Sequence, residues 1–160
     1  VAATWSPKGQ PPELNQTCSY AHLSLLGAIT PTGSLYLTGQ DVAFTGEDIV
    51  EFLTYLCHRY RRYNLLIIWD GATIHRSQAV KEFLTAHPGR VHLERLPGYS
   101  PELNAAEMLW NQLKKSLKNQ AFLTLSDLEV VLKTQLEQLH QNPKLIRAFF
   151  RKKEVVFFTD

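Results

Sequence analysis

The sequence predicts an α/β domain with helices covering both faces of a sheet, and three observations carry that prediction. Leu65-Leu66-Ile67-Ile68-Trp69 is a continuous apolar run, the mark of a strand buried on both faces. Downstream, stretches with helical spacing of apolar residues alternate with short apolar runs, the order expected of a layered α/β fold. Upstream, two partly alternating runs flank Thr30-Pro31-Thr32-Gly33, whose turn chemistry predicts an antiparallel hairpin.

Taken in order, Val1 to Thr17 hold three prolines and little apolar periodicity, so they read as an irregular arm. The hairpin follows, from Cys18 to Thr30 and from Ser34 to Val42. Thr45 with Asp48 predicts a helix cap, and Ile49, Phe52, Leu53 and Leu56 give the helix its inner face to about Tyr60. After the Leu65–Trp69 strand, Ser77 caps a helix with Val80, Phe83 and Leu84 facing inward, stopped by His87-Pro88-Gly89. Val91 to Leu96 is a short strand. Ala106, Leu109, Trp110, Leu113 and Leu117 form the stripe of a further helix, which makes Trp110 a core residue. Ser126 and Glu129 form a capping-box pair for the next helix, with Leu128, Val131, Leu132, Leu136 and Leu139 inward. Asn142-Pro143 breaks that pattern, and Lys144 to Lys153 reads as a last helix. The chain is thus one domain over residues 1–160, with an arm at 1–17, a core at 18–153 and a tail at 154–160.

Composition sets bounds on function. A chain of 160 residues can bury roughly 70% of its unfolded surface. No apolar run approaches the ~20 residues of a membrane span, and no signal peptide is visible. Cys18 and Cys57 make neither a disulfide framework nor a metal motif, which fits a reducing compartment. The net charge of +2 does not by itself argue for nucleic acid, so any such case rests on local clusters. Basic clusters occur at Arg59, Arg61 and Arg62, at Lys114, Lys115 and Lys118, and at Arg151, Lys152 and Lys153. Each is also what a solvated helix surface looks like.

Two carboxylates stand out. Asp70 ends the buried strand, where open α/β sheets place ligands, and Gly71 lets the backbone turn away. As an Asp-Gly pair it also suits a plain turn. Glu107 follows Ser100-Pro101 at the start of a helix; Asn104 three residues before it offers the alternative of a capping box. Glu107, Asn111 and Lys114 border the apolar stripe, from which a side chain can lean toward a cleft. His75 lies within reach of Asp70. No Gly-rich phosphate loop, serine elbow or zinc pattern is present.

Trp69-Asp70-Gly71-Ala72-Thr73-Ile74-His75 together with Tyr99-Ser100-Pro101-Glu102-Leu103-Asn104-Ala105-Ala106-Glu107-Met108-Leu109-Trp110 resembles the DDE transposases of the mariner-like superfamily, in its bacterial insertion-sequence branch. Asp70 matches the second acid of that family's triad and Glu107 the third, with 36 residues between them (107 − 70 − 1). Trp5-Ser6-Pro7-Lys8-Gly9 is similar to the family's Trp-x-Pro-x-Gly element.

The resemblance implies a ribonuclease H-like three-layer fold with a mixed sheet, and Asp70 and Glu107 as catalytic ligands of Mg²⁺ or Mn²⁺. His75 and Asn104 would support them. Lys114, Lys115, Lys118, Arg59 and Arg62 become candidate DNA contacts. Two-metal phosphodiester cleavage needs such oxygen ligands around ions about 3.5 to 4 Å apart. The intact parent would cut DNA at element ends and join the freed 3′ hydroxyl to a target, working as a homodimer in the cytoplasm, nucleoid-associated if bacterial.

One departure qualifies this. The family's first aspartate lies on a central strand upstream of the Trp-x-Pro-x-Gly element, and Val1 is only four residues before Trp5. Asp41, Asp48 and Asp127 do not stand at the matching position. The expectation is therefore a partial catalytic domain, a piece of a longer gene product, without its N-terminal central strand or its helix-turn-helix region, and inactive alone. Glu154-Val155-Val156-Phe157-Phe158 or the Val1 arm, from this chain or a neighbour, is expected to add to the sheet. A non-catalytic or domesticated DNA-binding remnant, and a different metal-dependent hydrolase of similar fold, are the alternatives.

Overall fold

A computed structural model describes residues 22–118, 120, 122 and 124–156. β1 (Ser24–Ile29) and β2 (Leu35–Gln40) form the expected antiparallel hairpin, with Ile29 opposite Leu35 and Ser24 opposite Gln40. α1 (Gly46–Arg59) begins at the predicted capping box, in which Thr45 and Asp48 each accept from the other's backbone N–H. Its inner face buries Ile49, Leu53 and Leu56. β3 (Leu65–Trp69) pairs in parallel with β4 (Val91–Arg95), Leu65 opposite Val91 and Trp69 opposite Arg95. Between them runs α2 (Gln78–Ala86), capped by Ser77 and burying Val80 and Phe83. α3 (Ala106–Leu117), α4 (Leu125–His140) and α5 (Pro143–Phe149) complete the described chain.

Successive strand residues point to opposite faces, and the core divides accordingly. Leu25 and Ile29 pack with Leu109, Leu113, Leu132, Leu139, Ile146 and Phe149, a cluster built by α3, α4 and α5. Leu26 packs with Ile49, Leu53, Val80, Phe83 and Val91, a cluster built by α1, α2 and the parallel pair. Helices therefore lie on both faces of the strands, giving the expected three layers.

The strands fall into two pieces, in keeping with a mixed sheet that lacks a strand at its centre. Among the described residues β1–β2 and β3–β4 are separate two-stranded sheets. Leu65 donates to Arg90 O and Leu96 to Trp69 O, so in β3 the backbone groups of Leu66 and Ile68 point away from β4. Thr30 donates to Ser34 O, so in β1 those of Leu25, Gly27 and Ile29 point away from β2. These two unpaired edges line one cleft of about 640 Å³, with Phe52 and Leu56 of α1 on one side and Trp110 and Phe150 on the other. That cleft separates β1 from β3, where the family resemblance puts its central strand. Tyr36 donates to the Tyr60 hydroxyl at 2.9 Å, with Thr30 and Ser34 close by. Arg90 ties the Tyr60 carbonyl to the start of β3. The end of β1 therefore sits beside the beginning of β3, and the two run in opposite senses.

Glu154 to Val156 do not supply the strand. Val155 and Val156 donate to the Lys152 carbonyl in a tight turn, and Val155 is buried against the cleft as a side chain. The chain is already folded back there, so its backbone cannot lie along an edge. Phe157, Phe158 and the Val1 arm, including Trp5 to Gly9, fall outside the described residues. Two helix ends also differ. Thr124 and Asp127, not Ser126 and Glu129, form the box that opens α4, because the earlier pair has the same spacing and gives a longer helix. α5 stops at Phe149 instead of continuing to Lys153. Among the described residues no helix is long and apolar enough to cross a membrane.

Candidate active site

Asp70 follows β3 at the carboxyl end of the parallel pair, and local hydrogen bonds fix its carboxylate. Oδ1 accepts from the Ala72 backbone N–H at 3.0 Å, an Asx turn that closes because Gly71 intervenes. The same oxygen lies 3.2 Å from His75 Nε2. His75 sits in a short 3₁₀ turn (Thr73–Arg76) and stacks on Trp69 with ring centroids 4.2 Å apart and planes 12° from parallel. Burial pushes the His75 pKa down, and the Asp70 carboxylate opposes that shift without cancelling it. A neutral ring that donates from Nε2 leaves Nδ1 as an acceptor. That atom is buried with no partner among the described residues. Asp70 Oδ2 has no hydrogen bond among the described residues, and its side chain is 59% exposed, so it is open to a ligand.

Glu107 arrives on a separate element. Leu96 is buried and donates to Trp69 O, which fixes the end of β4 beside Asp70. The chain then passes Tyr99, fully exposed and left-handed at φ 57°, and a 3₁₀ turn (Pro101–Leu103) before α3. The capping box between Asn104 and Glu107 does not form. Asn104 Oδ1 accepts instead from Ala106 N–H at 3.0 Å, and its backbone carbonyl accepts from Glu107 N–H at 3.0 Å. The Glu107 carboxylate consequently has no hydrogen bond or ion pair among the described residues. Leu109 and Leu113, nearly inaccessible, anchor α3 behind it, and the Trp110 ring lies 3.0 Å from where a Cβ on Gly27 would stand.

Asp70, His75 and Asn104 line the same cleft, together with Ala105 and Ala106. Glu107 is the next residue along, in the first turn of α3, outside that lining. Lys114 and Lys118 share its helical face, about 10 and 16 Å further on at 1.5 Å per residue, and Lys115 is turned aside. All three lysines are exposed. Arg59 and Arg62 are exposed beyond the opposite end of β3, about 17 Å from Asp70 by strand length. Arg59 lies over the Tyr60 ring at 5.9 Å. The structure thus groups Asp70, His75 and Asn104, keeps Glu107 adjacent, and separates the arginines. Among the described residues no three His, Cys, Asp or Glu side chains gather into a metal cluster.

One residue escaped the sequence reading. The Arg95 guanidinium lies flat against Gly71, with Nη2 at 2.7 Å and Nε at 3.1 Å from an ideal Cβ there. Its signal was the parallel register that puts Arg95 opposite Trp69, which a single strand pattern does not show.

Residues 1–129 match the DDE superfamily endonuclease family. The chain belongs to that family. Among solved structures this DDE endonuclease chain is similar to the Mos1 mariner paired end complex with Mn, at a TM-score of 0.62 and 17% identity over 96% of this chain and 49% of that one. It is also similar to the Mos1 transposase paired-end complex with left transposon end, at 0.58 and 16% over 94% and 51%. The Mos1 transposase catalytic domain with Raltegravir and Mn gives 0.52 and 16% over 78% and 73%. At these identities the likeness is one of fold, and it bears out the ribonuclease H-like class. The chain spans about half the length of the paired-end complex chains. No curated protein matches it.

Proposed function

We propose that the chain is part of the catalytic domain of a mariner-like DDE transposase, whose intact form cleaves DNA strands and transfers them to a target. The observation that supports this best is Asp70. It stands at the carboxyl end of a buried parallel strand, one oxygen held by His75 and Ala72 and the other open, on the same cleft as the start of the helix that carries Glu107. Asp70 Oδ2 and the Glu107 carboxylate, neither of them hydrogen-bonded among the described residues, are hard oxygen donors, the kind that Mg²⁺ and Mn²⁺ take. A divalent ion held there would supply an activated water and stabilise the leaving oxygen. Asp70 would bind it, His75 would keep Asp70 oriented, and Asn104 would set where Glu107 leaves the turn. Lys114 and Lys118, on the Glu107 face, would neutralise backbone phosphates.

The reading includes an incomplete site. A third carboxylate belongs beside Asp70, and a strand lying in the cleft between β1 and β3 is how it would be brought there. Without it the chain should not cut DNA. Homodimer formation in the intact protein, affiliation with bacterial insertion sequences and a cytoplasmic, nucleoid-associated location rest on the motif resemblance and belong to the same proposal. The second reading is a non-catalytic DNA-binding remnant, for which the exposed Lys114 and Lys118 would bind phosphates without a metal.

Calorimetric titration with Mn²⁺ tests the metal site. Binding by the unmodified chain, abolished in Asp70→Asn and weakened in Glu107→Gln, is expected, with no nicking of supercoiled DNA. Equal Mn²⁺ affinity in all three proteins would remove the metal site and leave the remnant reading. Nicking that disappears in Asp70→Asn would show the site to be complete.

A further inference from the structure

We propose that Arg95 is a phosphate-binding residue that seats the DNA backbone beside Asp70. This rests on the reading of Asp70 as the centre of a DNA-cutting site and adds a residue to it. Arg95 is the last residue of β4 and lies opposite Trp69, so it shares with Asp70 the carboxyl end of the parallel pair. Its guanidinium packs on the backbone of Gly71, the residue directly after Asp70. A side chain at position 71 would occupy that space, so glycine there serves the arginine as well as the turn.

The donors of that guanidinium have no hydrogen-bond partner among the described residues. Asp70 takes its hydrogen bonds from Ala72 and His75, and the other ion pair among the described residues joins His92 to Glu94. Arg95 therefore has no carboxylate partner among the described residues, although an acid stands close by in the chain. Its side chain is exposed, with five N–H groups in a fixed fork that matches phosphate oxygens. Charge supplies the need. Asp70 and Glu107 are anionic, and a phosphodiester approaching them is repelled unless a cation stands on its path. Lys114 and Lys118 are two and three helical turns from Glu107, whereas Arg95 packs on Gly71, the next residue after Asp70. Packing against Gly71 also orders the guanidinium before DNA arrives, which lowers the entropy lost on contact.

The test measures affinity of the full chain for a fluorescein-labelled duplex of arbitrary sequence across a salt series, alongside thermal melts. Arg95→Ala is expected to melt like the unmodified protein and to make the slope of log K against log salt shallower by about one. Arg95→Lys should restore the slope, which a merely structural role of the arginine would not produce. Lys81→Ala, on the outer face of α2, should leave the slope unchanged. An unchanged slope in Arg95→Ala, or an equal loss in Lys81→Ala, would overturn the assignment while leaving DNA binding intact. Failure of the unmodified chain to bind the duplex at low salt would overturn it together with the DNA reading beneath it.

Discussion

At the scale of single residues, His75 links the stability of the cleft to the hold on Asp70. Its Nδ1 is buried without a partner among the described residues, and an unsatisfied acceptor of that kind costs about 1 to 3 kcal/mol. Its Nε2 holds Asp70 in place. His75→Phe keeps the stack on Trp69 and removes both features, so the variant is expected to melt no lower than the unmodified chain. Its Mn²⁺ affinity should fall about tenfold, the usual effect of losing a group that orients a ligand. Parallel melting and Mn²⁺ titration measure the two effects, and unchanged affinity would deny His75 its orienting role. The placements of Asp70, His75 and Glu107 were legible in the sequence because each stands at a punctuated place: a strand end, a turn after it, a helix start. Arg95 was not, because its importance comes from a neighbour 24 positions earlier (95 − 71) that only the pairing of β3 with β4 brings beside it. The role of Asn104 changed for a local reason. With Ala105 already helical, its side chain reaches only the Ala106 N–H, and Glu107 is freed from cap duty.

At the scale of elements, the helices follow their caps. In α1 the Asp48 carboxyl is held below its usual range, first by the Thr45 backbone N–H and then by the Thr45 hydroxyl. A carboxyl whose folded pKa lies below the unfolded value of 3.8 adds stability above that pH and loses it as pH falls through the folded value. Asp48→Asn is accordingly expected to lower the urea midpoint at neutral pH, and its deficit should shrink as pH drops below about 4. A deficit independent of pH would mean that shape, and not charge, makes the cap. The spacing that made this cap readable misled at α4, where Thr124-Leu125-Ser126-Asp127-Leu128-Glu129 holds two overlapping boxes and only helix length chooses between them. The strands were readable as runs, but their partners were not, since which edge meets which depends on contacts far apart in the chain.

At the scale of the whole molecule, the described residues hold two separate strand pairs with a cleft between their open edges, and amide exchange should display that division. Hydrogen bonds to β2 and β4 protect Leu26, Ala28, Ile67 and Trp69, while Leu25, Gly27, Ile29, Leu66 and Ile68 turn their backbone groups to the cleft. An alternating pattern of slow and fast exchange along β1 and β3 is expected by NMR in deuterated buffer. Uniform protection along both edges would mean that a strand already lies there. The opposed senses of β1 and β3 then matter to any guest. Whatever slides in must travel alongside one wall and against the other, so the two walls cannot be read alike and the berth has a heading. Only a guest that points the same way as β3 finishes next to Asp70. One that docks reversed would leave its final side chain at the tyrosine end, too distant to share an ion.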